Sequence, residues 1–307
     1  MNLNPRVTAI IQTLGILVLM SIGTVLSKIA LHDVAPFMFT ALTLLVGMIT
    51  MSVYTFGIRR ERIPHGLGRT VWAYIVAIGI CNFVIGRITQ NVALGRLPAT
   101  TSVYLTNFIG FITMAMSVFI LRESPTVFQL AGAAIAFSGL WVFFDVPPDS
   151  YELVGMALVF VGITAMAYTN NIARKLALLA GERVSTAMMS TLALLIGGVI
   201  TVAVGLIADW PPRVAGLSNW LFILYNGVVM VALGLTVWNY VLRTLRSYEA
   251  SILGASTVIW TSLLAVLLLG ERLAWNQIAG MGLMIVGLTL VQIRAGRLPL
   301  AGRPATR

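Results

Sequence analysis

The sequence has little charge for its length. Charged residues make up 10% of its 307 residues, whereas hydrophobic residues make up 59% and the mean hydropathy is +0.95. Soluble domains carry about 25% charged residues. These values exclude a soluble globular domain and predict that lipid surrounds the protein. Cysteine is almost absent as well: Cys81 is the single one, so a disulfide within the chain is excluded.

The sequence also lacks the motifs of soluble catalysis and of nucleotide-driven pumping. It contains no Walker loop, no Gly-x-Gly-x-x-Gly fingerprint, no cluster of metal ligands and no Ser/His/Asp arrangement. Both histidines, His32 and His65, and all the acidic residues fall in loops or near the ends of apolar stretches. The usual carriers of an intramembrane proton relay are therefore missing. We expect neither an enzyme nor an ATP-driven pump, and neither a metal nor another cofactor.

Apolar stretches of about twenty residues recur along the whole chain. Each is long enough for a helix rising about 1.5 Å per residue to cross a hydrocarbon core about 30 Å thick. The stretches lack the alternation of a membrane barrel, so we expect an all-α integral membrane protein with ten transmembrane helices. The first stretch lacks a clear cleavage site and is predicted to be a span, not a signal peptide. The predicted spans are residues 8–31, 35–57, 70–93, 100–121, 126–144, 153–172, 186–208, 219–241, 250–269 and 277–293.

The distribution of basic residues predicts which helix ends face the cytoplasm. If both termini are cytoplasmic, most of the basic residues fall in cytoplasmic segments, while Lys28, Arg96, Arg213 and Arg272 fall on the outer side. This bias follows the positive-inside rule. It also accounts for the net charge of +10 without nucleic acid as a partner, because the basic residues lie in short connections and not on a soluble face.

The chain matches itself at an offset of 148 residues. The offset pairs Asn91 with Asn239 and Glu123 with Glu271, together with glutamines and glycines. Chance among apolar segments supplies glycine matches more easily than matches of Asn, Glu and Gln. One repeat contains five predicted spans, an odd number, so we expect the second copy to be inverted in the membrane, as in many secondary transporters. The predicted domains are a first five-helix repeat at 1–145, a second, inverted repeat at 151–294 and a basic cytoplasmic tail at 295–307.

Two short motifs occur once in each half. The second half reads Leu-Leu-Gly-Glu-Arg-Leu at 268–273 and Gln-Ile-Ala-Gly at 277–280, and the first half reads Leu-Arg-Glu at 121–123 and Gln-Leu-Ala-Gly at 129–132. On these residues the chain resembles the drug/metabolite transporter superfamily, in its EamA-type branch of ten helices in two five-helix repeats. The resemblance covers most of the chain. It implies a bacterial inner-membrane exporter of small metabolites, often amino acids, with a central cavity lined mainly by helices 1, 3, 4, 6, 8 and 9.

Arg87 is the one strongly charged residue well inside a predicted span, where insertion costs about 2.5–3.5 kcal/mol on translocon scales. On helix 3 it shares a face with Phe83 and Asn91, and Asn82 and Gln90 are close by. This polar patch suits a substrate carboxylate. The alternative is snorkelling or gating, because Arg87 lies near the outer end of its helix.

Other helices carry polar and aromatic faces that are costly to expose to lipid. Cavity lining and ordinary interhelical hydrogen bonds satisfy such side chains equally well, so both interpretations stay open. Trp260 falls near the middle of helix 9, away from the interfacial belts where tryptophan is enriched, so it is a candidate for lining a cavity. Core packing is the alternative role. The further candidate substrate contacts are Tyr104, Asn107 and Phe111 on helix 4, Tyr168 and Asn171 on helix 6, and Trp238, Ser256 and Trp260 in the second half, where Asn226 offers a similar contact.

Four charged residues at helix ends are candidate gate or structural residues. Glu123 and Glu271 lie at turns, where a carboxylate caps the N-terminus of the next helix and complements its dipole. Lys28 and Lys175 occupy similar Lys-Ile-Ala-Leu and Lys-Leu-Ala-Leu contexts, and they either snorkel to the interface or take part in gates.

The sequence therefore predicts a secondary transporter that exports a small metabolite, an amino acid or a derivative, across the bacterial inner membrane by uniport or exchange. Efflux of amphipathic drugs is the alternative within transport, although an intramembrane carboxylate for proton exchange is missing. A non-transporting lipid-interaction protein is the alternative from another class. The expected partners are a small-molecule substrate and membrane lipid, and the sequence predicts no oligomeric state.

Overall fold

The computed structural model describes residues 5–63, 66–120, 125–144, 147–180, 185–237 and 254–291. Within these ranges most residues are helical and none belongs to a β-strand, which confirms the all-α prediction for them. In chain order the helices are α1 (Pro5–Ala30), α2 (Pro36–Ile58), α3 (Arg69–Arg96), α4 (Ala99–Ile120), α5 (Val127–Phe143), α6 (Ser150–Ala180), α7 (Thr186–Ala208), α8 (Leu217–Val237), α9 (Thr257–Leu269) and α10 (Trp275–Val291).

Most of these helices are long enough to cross a membrane. Seven candidate spans, on α1 to α4 and α6 to α8, meet the length and the apolar composition that a crossing requires. The described parts of α5, α9 and α10 are apolar too but have only 17, 13 and 17 residues. The protein is therefore a multi-pass membrane protein, and the count of ten crossings stays a prediction.

Local sequence signals set several helix ends. Pro36 occupies the start of α2, where its missing N–H costs nothing. At the start of α5, Thr126 and Gln129 form a capping box with bonds of 3.2 and 2.8 Å. α9 ends at Gly270, whose φ of 67° is a left-handed conformation that glycine adopts without strain.

α5 and α10 pack closely through glycine. A Cβ added to Gly139 would lie 2.9 Å from the carbonyl oxygen of Gly280, and one added to Gly280 would lie 2.8 Å from that of Gly139. Gly132 and Gly287 face each other in the same reciprocal way. Residue numbers rise along one helix as they fall along the other, so the two helices are antiparallel. Their backbones touch because no side chains separate them.

α2 and α7 are also antiparallel, and a carboxylate beyond the end of each binds at the start of the other. Asp209 follows α7 and accepts a hydrogen bond of 2.9 Å from the N–H of Met38 in the first turn of α2. Glu61 follows α2 and accepts a hydrogen bond from the hydroxyl of Ser185. That hydroxyl in turn accepts the N–H of Met188 at 3.0 Å and so caps α7. Each carboxylate complements the positive end of a helix dipole.

Among the described residues, three helices contain π-helical stretches, which are wider than an α-helix and often occur at functional sites. They are Val53–Ile58 in α2, Gly79–Gly86 in α3 and Asn226–Leu233 in α8. Arg87 directly follows the stretch in α3, and Asn226 begins the stretch in α8. Each of these two wide turns therefore lies next to, or begins at, a polar residue of its helix.

Candidate functional site

A small cavity with many polar residues in its lining lies among six of the helices. Its volume is about 190 Å³, and α1, α2, α3, α4, α6 and α8 contribute its walls. The family resemblance implied α9 as a main wall; among the described residues α2 takes this role, because Thr40 and Thr43 face the cavity. The lining residues are Thr24, Ser27, Phe39, Thr40, Thr43, Leu44, Arg87, Gln90, Asn91, Leu94, Ser102, Val103, Thr106, Met166, Asn226, Met230 and Val231.

Hydrogen bonds between helices organise most of the polar wall. Ser27 on α1 donates to the Asn226 side-chain oxygen on α8 at 3.0 Å. The Asn91 amide on α3 donates to the Thr40 hydroxyl on α2 at 2.8 Å. Thr106 on α4 donates to the Gln90 side-chain oxygen on α3 at 3.2 Å. These bonds orient the side chains of the wall and join both halves of the chain around the cavity.

Three lining residues carry buried polar atoms that lack a hydrogen-bond partner in the described part of the chain. They are the Nε of Arg87, the Nε2 of Gln90 and the hydroxyl oxygen of Thr43. Buried polar atoms are almost always paired, and an unpaired one costs about 1–3 kcal/mol. Arg87 and Gln90 therefore each have an unpaired donor in the wall of the cavity.

A larger vestibule of about 770 Å³ lies at one end of α1, α2 and α8, toward the start of α7. Its walls include Ile16 and Leu19 on α1 and Leu233 on α8, so they are mostly apolar, with Arg59 and Gln12 at the polar part. Gln12 lies near the start of α1 and Arg59 just beyond the end of α2, so this vestibule lies near the ends of those helices.

Two methionine contacts separate the vestibule from the cavity. Met230 packs so closely against Gly23 that an added Cβ there would lie 2.5 Å from Met230 Cγ. Met20 packs in the same way against Gly234, where an added Cβ would lie 2.8 Å from the Met20 methyl group. Along α1 these contacts lie between Leu19 of the vestibule and the cavity residues further on. We call this crossing of α1 and α8 the methionine constriction.

Lys28 and Glu271 fasten the turn between α3 and α4. Lys28 donates to the carbonyl oxygens of Leu94 and Leu97, both at 2.8 Å, where α3 ends. Glu271 accepts the N–H of Ala99 at 2.6 Å, where α4 begins. The sequence predicts that Glu271 caps the helix that follows it; the structure differs, because the turn before α10 lies beside the start of α4. We call these contacts the Lys28/Glu271 latch.

The structure brings two of the predicted substrate contacts, Arg87 and Asn91, together in the cavity. The predicted neighbour Gln90 and the second-half residue Asn226 line it as well. Asn82 is half-buried within the π-helical stretch of α3 and is not part of the lining.

The predicted aromatic contacts lie mainly in hydrophobic clusters. Phe83 is buried in a cluster with residues of α2 and α7. Tyr104 and Phe111 are buried in another cluster, where the Tyr104 ring stacks on Phe143 with centroids 4.0 Å apart. Tyr168 is partly exposed and lines a shallow, mostly apolar groove beside Cys81.

The remaining predicted residues are spread over the molecule. Asn107 donates to the Val103 carbonyl of its own helix at 2.8 Å, and Asn171 donates to Thr113 of α4 at 3.1 Å. Ser256 precedes α9, and the buried indole nitrogen of Trp260 lacks a partner in the described part of the chain. Exposed Lys175 lies 6.0 Å from the ring centroid of Tyr74. The predictions for Trp238 and Glu123 fall outside the described residues.

The hydroxyl residues of the cavity wall were not among the substrate contacts predicted from the sequence. They occur in pairs three or four residues apart, which places both members on one helix face. Spacing alone does not identify them, because a Ser or Thr in a membrane helix commonly bonds to its own backbone. Thr106, for example, also donates to the Ser102 carbonyl at 2.8 Å. The missed residues are Thr24, Ser27, Thr40, Thr43, Ser102 and Thr106.

The described residues offer no group of three or more His, Cys, Asp or Glu side chains that could hold a metal ion. The cavity wall instead combines one guanidinium group, amides and hydroxyls, which can bind a small polar ligand by hydrogen bonds.

Comparisons with known proteins agree on the family. A model of the EamA-like transporter family matches residues 7–145 and 153–293. The uncharacterized transporter YoaV of Bacillus subtilis is 22% identical over 85% of this chain and 88% of that protein. The probable amino-acid metabolite efflux pump of Salmonella typhimurium is 22% identical over 89% of this chain and 91% of that protein. The uncharacterized transporter YcxC of Bacillus subtilis is 25% identical over 59% of this chain, and the match spans 60% of that relative's length.

A solved crystal structure has a similar fold. It aligns with a TM-score of 0.67 at 16% identity and covers 93% of this chain and 96% of its own. At this identity the likeness reports the fold alone.

Proposed function

The chain belongs to the EamA-like transporter family, and from this premise we propose that it is a secondary transporter that exports a small metabolite, an amino acid or a derivative, across the bacterial inner membrane. The cavity lined by Arg87 carries this proposal, because it combines a small volume with unpaired donors inside a multi-pass membrane protein. The relative named as a probable amino-acid metabolite efflux pump supports the substrate class.

We propose ten crossings, arranged as two inverted repeats. The family model matches the chain twice, once in each half. α5 corresponds to α10 and α2 to α7 in the two matched segments, and both pairs are antiparallel. Corresponding helices that run in opposite directions are what an inverted repeat requires. The short helices α5 and α10 are each 17 residues, about 25 Å at 1.5 Å per residue, which a thin or locally compressed bilayer accommodates.

We further propose that both termini are cytoplasmic, as the basic residues favour. The vestibule would then open toward the cytoplasm and the Lys28/Glu271 latch would close the outer side. An open inner vestibule and a fastened outer turn correspond to one of the two states of alternating access. Movement of the two repeats past each other would release the latch and close the inner side.

Arg87 and Asn91 are the proposed substrate contacts that line the cavity, with Gln90 beside them. A guanidinium group suits a carboxylate, since charge-assisted hydrogen bonds are about twice as strong as neutral ones. The cavity of about 190 Å³ is smaller than the roughly 300–1,000 Å³ of pockets for drug-sized ligands, which favours a small metabolite.

We propose uniport or exchange as the mode of energy coupling. The sequence predicts that all the acidic residues lie in loops or near helix ends and that both histidines lie in loops. A proton-coupled mechanism commonly places such a residue within the membrane, close to the substrate.

Counterflow in proteoliposomes tests this function. Purified protein is reconstituted, and exchange of a panel of labelled amino acids and derivatives is measured with and without a pH gradient. We expect counterflow that is independent of the gradient and falls at least about tenfold in Arg87→Ala, because a charged hydrogen bond is lost. Arg96→Ala is the matched control, since Arg96 ends the same helix and lies 4.8 Å over the Tyr151 ring, away from the cavity. Absence of flux for every solute, or equal flux in Arg87→Ala, contradicts the assignment.

Efflux of amphipathic compounds is a second candidate, which the vestibule favours. Its volume of about 770 Å³ and mostly apolar wall match a drug-sized ligand. Efflux of a fluorescent cationic dye from the same vesicles distinguishes the two functions. Dye efflux that is insensitive to Arg87→Ala, without amino-acid counterflow, would favour this candidate.

A further inference from the structure

The described residues that line the cavity include one charged residue, Arg87. None of these described residues carries a carboxylate. We propose that the cavity selects a small carboxylate without a cationic amine, such as a 2-hydroxy acid or an N-acylated amino acid, over a zwitterionic amino acid. This inference rests on the proposed function and narrows its substrate class.

The unpaired donors of the cavity require an acceptor. Arg87 Nε and Gln90 Nε2 are buried, and neither has a partner within the part of the chain that the structure describes. The hydroxyl of Thr43, on the facing helix α2, is buried and unpaired as well. A carboxylate offers two oxygens with about four lone-pair sites, which is enough to accept from all three groups. An ammonium group only donates, so it leaves the Arg87 and Gln90 donors unpaired.

Two amide oxygens of the lining already accept a hydrogen bond each from a hydroxyl group. The Asn226 oxygen accepts the Ser27 hydroxyl at 3.0 Å, and the Gln90 oxygen accepts the Thr106 hydroxyl at 3.2 Å. Phe39 is the one aromatic residue among the described lining residues, so these residues provide no cage of aromatic faces for a cation. An amine cation beside them would therefore be buried without a counter-charge from the protein, which is strongly unfavourable.

The carboxylate of the Lys28/Glu271 latch does not supply the missing counter-charge. Glu271 interacts electrostatically with Lys28, and its oxygens accept the N–H groups of Ala99 and Thr100 at 2.6 and 3.1 Å. The negative charge of Glu271 is thus compensated by Lys28 and by the positive end of the α4 dipole. The Arg87 charge remains for the ligand.

Matched ligands that differ only at the amine position test the inference. The probes are alanine, lactate and N-acetylalanine, followed by leucine, 2-hydroxy-4-methylpentanoate and N-acetylleucine. Binding is measured as ligand-dependent thermal stabilisation of the purified full-length protein in detergent, since a ligand that binds the folded state stabilises it according to its concentration and Kd. Counterflow of the same compounds is measured in proteoliposomes. The hydroxy acids lack the amine nitrogen, whereas the N-acetyl compounds keep that nitrogen as a neutral amide. Comparing the two shows whether the loss of the positive charge alone is sufficient for binding.

We expect at least one anion of each set to bind about tenfold or more tightly than the amino acid with the same carbon skeleton. Arg87→Gln removes this preference, whereas Arg96→Gln, the control on the same helix, retains it. If Arg87→Gln does not fold, Arg87→Lys serves instead: it keeps the charge but lacks the Nε–H donor, so the anion preference persists with weaker binding.

The failure of this inference differs from the failure of the proposed function. Amino acids that bind and exchange as well as or better than their anionic counterparts overturn the inference, while the transport function stands. An anion preference that survives in Arg87→Gln also overturns it, because the cavity charge is then not its source. If no solute of any charge binds or exchanges, the proposed function fails together with the inference.

Discussion

The glycine contact between α5 and α10 provides a sharp test of how the two halves pack. A methyl group added at Gly287 would overlap the carbonyl oxygen of Gly132 and lie 2.9 Å from both the N and the Cβ of Ala136. The first two obstacles are backbone atoms, which cannot turn aside as a flexible side chain does. Gly287→Ala must therefore push the two helices apart along their contact.

The expected cost follows from overpacking and has an internal control. Extra methyl groups in a packed interior cost about 1–3 kcal/mol, and the rigid obstacles at Gly287 favour the upper end. Gly282 lies on the same helix and has no atom within 4 Å of an added Cβ. Gly282→Ala should therefore stabilise the protein by about 0.5–1 kcal/mol, because alanine loses less backbone entropy than glycine in a helix.

The two variants are compared by SDS titration of the purified protein in mixed micelles, with helicity followed by circular dichroism. We expect Gly287→Ala to unfold at clearly lower SDS and Gly282→Ala at equal or higher SDS than the wild type. A loss of about 3 kcal/mol corresponds to more than about a hundredfold in the folding equilibrium. Equal midpoints for Gly287→Ala and the wild type would refute the close contact of α5 and α10.

Three further variants test the latch and the constriction. Glu271→Ala removes the carboxylate at the start of α4 and should destabilise the protein by about 1–2 kcal/mol in the same titration. Lys28→Met keeps an unbranched apolar stem of similar length but loses the ammonium group. The carbonyls at the end of α3 are then without their donor, which should cost about 1–2 kcal/mol. Met230→Ala widens the methionine constriction, so counterflow of the transported solute should become faster while the SDS midpoint falls by less than for Gly287→Ala.

Each of these expectations has a contradicting result. Unchanged midpoints for both Glu271→Ala and Lys28→Met would mean that the latch contributes nothing to stability. Unchanged or slower counterflow in Met230→Ala, with the protein folded, would mean that the constriction does not lie on the substrate path. Lys175 provides the control, because it is exposed and its neighbour is the Tyr74 ring, not the latch or the constriction. Lys175→Met should therefore leave the SDS midpoint and the counterflow rate unchanged.

The sequence predicts the helices well because a chain that crosses lipid must pair its backbone polar groups internally, which leaves few possible structures. Apolar runs bounded by proline and charge define the segments, and the bounds of α7 agree with the prediction at both ends. Arg87 stands out because a charge within a span needs a special environment. Composition and spacing along one helix are sufficient for both inferences.

Contacts between distant helices could not be predicted in this way. Whether Tyr104 faces a cavity or Phe143 depends on how α4 packs against α5, and an aromatic residue suits both places. The Glu271 carboxylate could accept N–H groups at the start of α10 or at the start of α4. Its neighbours in the sequence therefore do not reveal that it accepts the N–H of Ala99 in α4. The hydroxyls of the cavity wall share their spacing with ordinary membrane-helix serines and threonines.

The paired π-helical stretches have a consequence for the history of the chain. Gly79 and Gly86 correspond to Gly227 and Gly234, so the stretches Gly79–Gly86 and Asn226–Leu233 occupy the same part of their helices to within one residue. A π-helical turn holds more residues than an α-helical turn, because its hydrogen bonds run from residue i to residue i+5. If the two proposed repeats arose by duplication of a gene of half the length, one wide turn in that ancestral gene accounts for both stretches. The wide turns would then be older than the single polypeptide that now contains them.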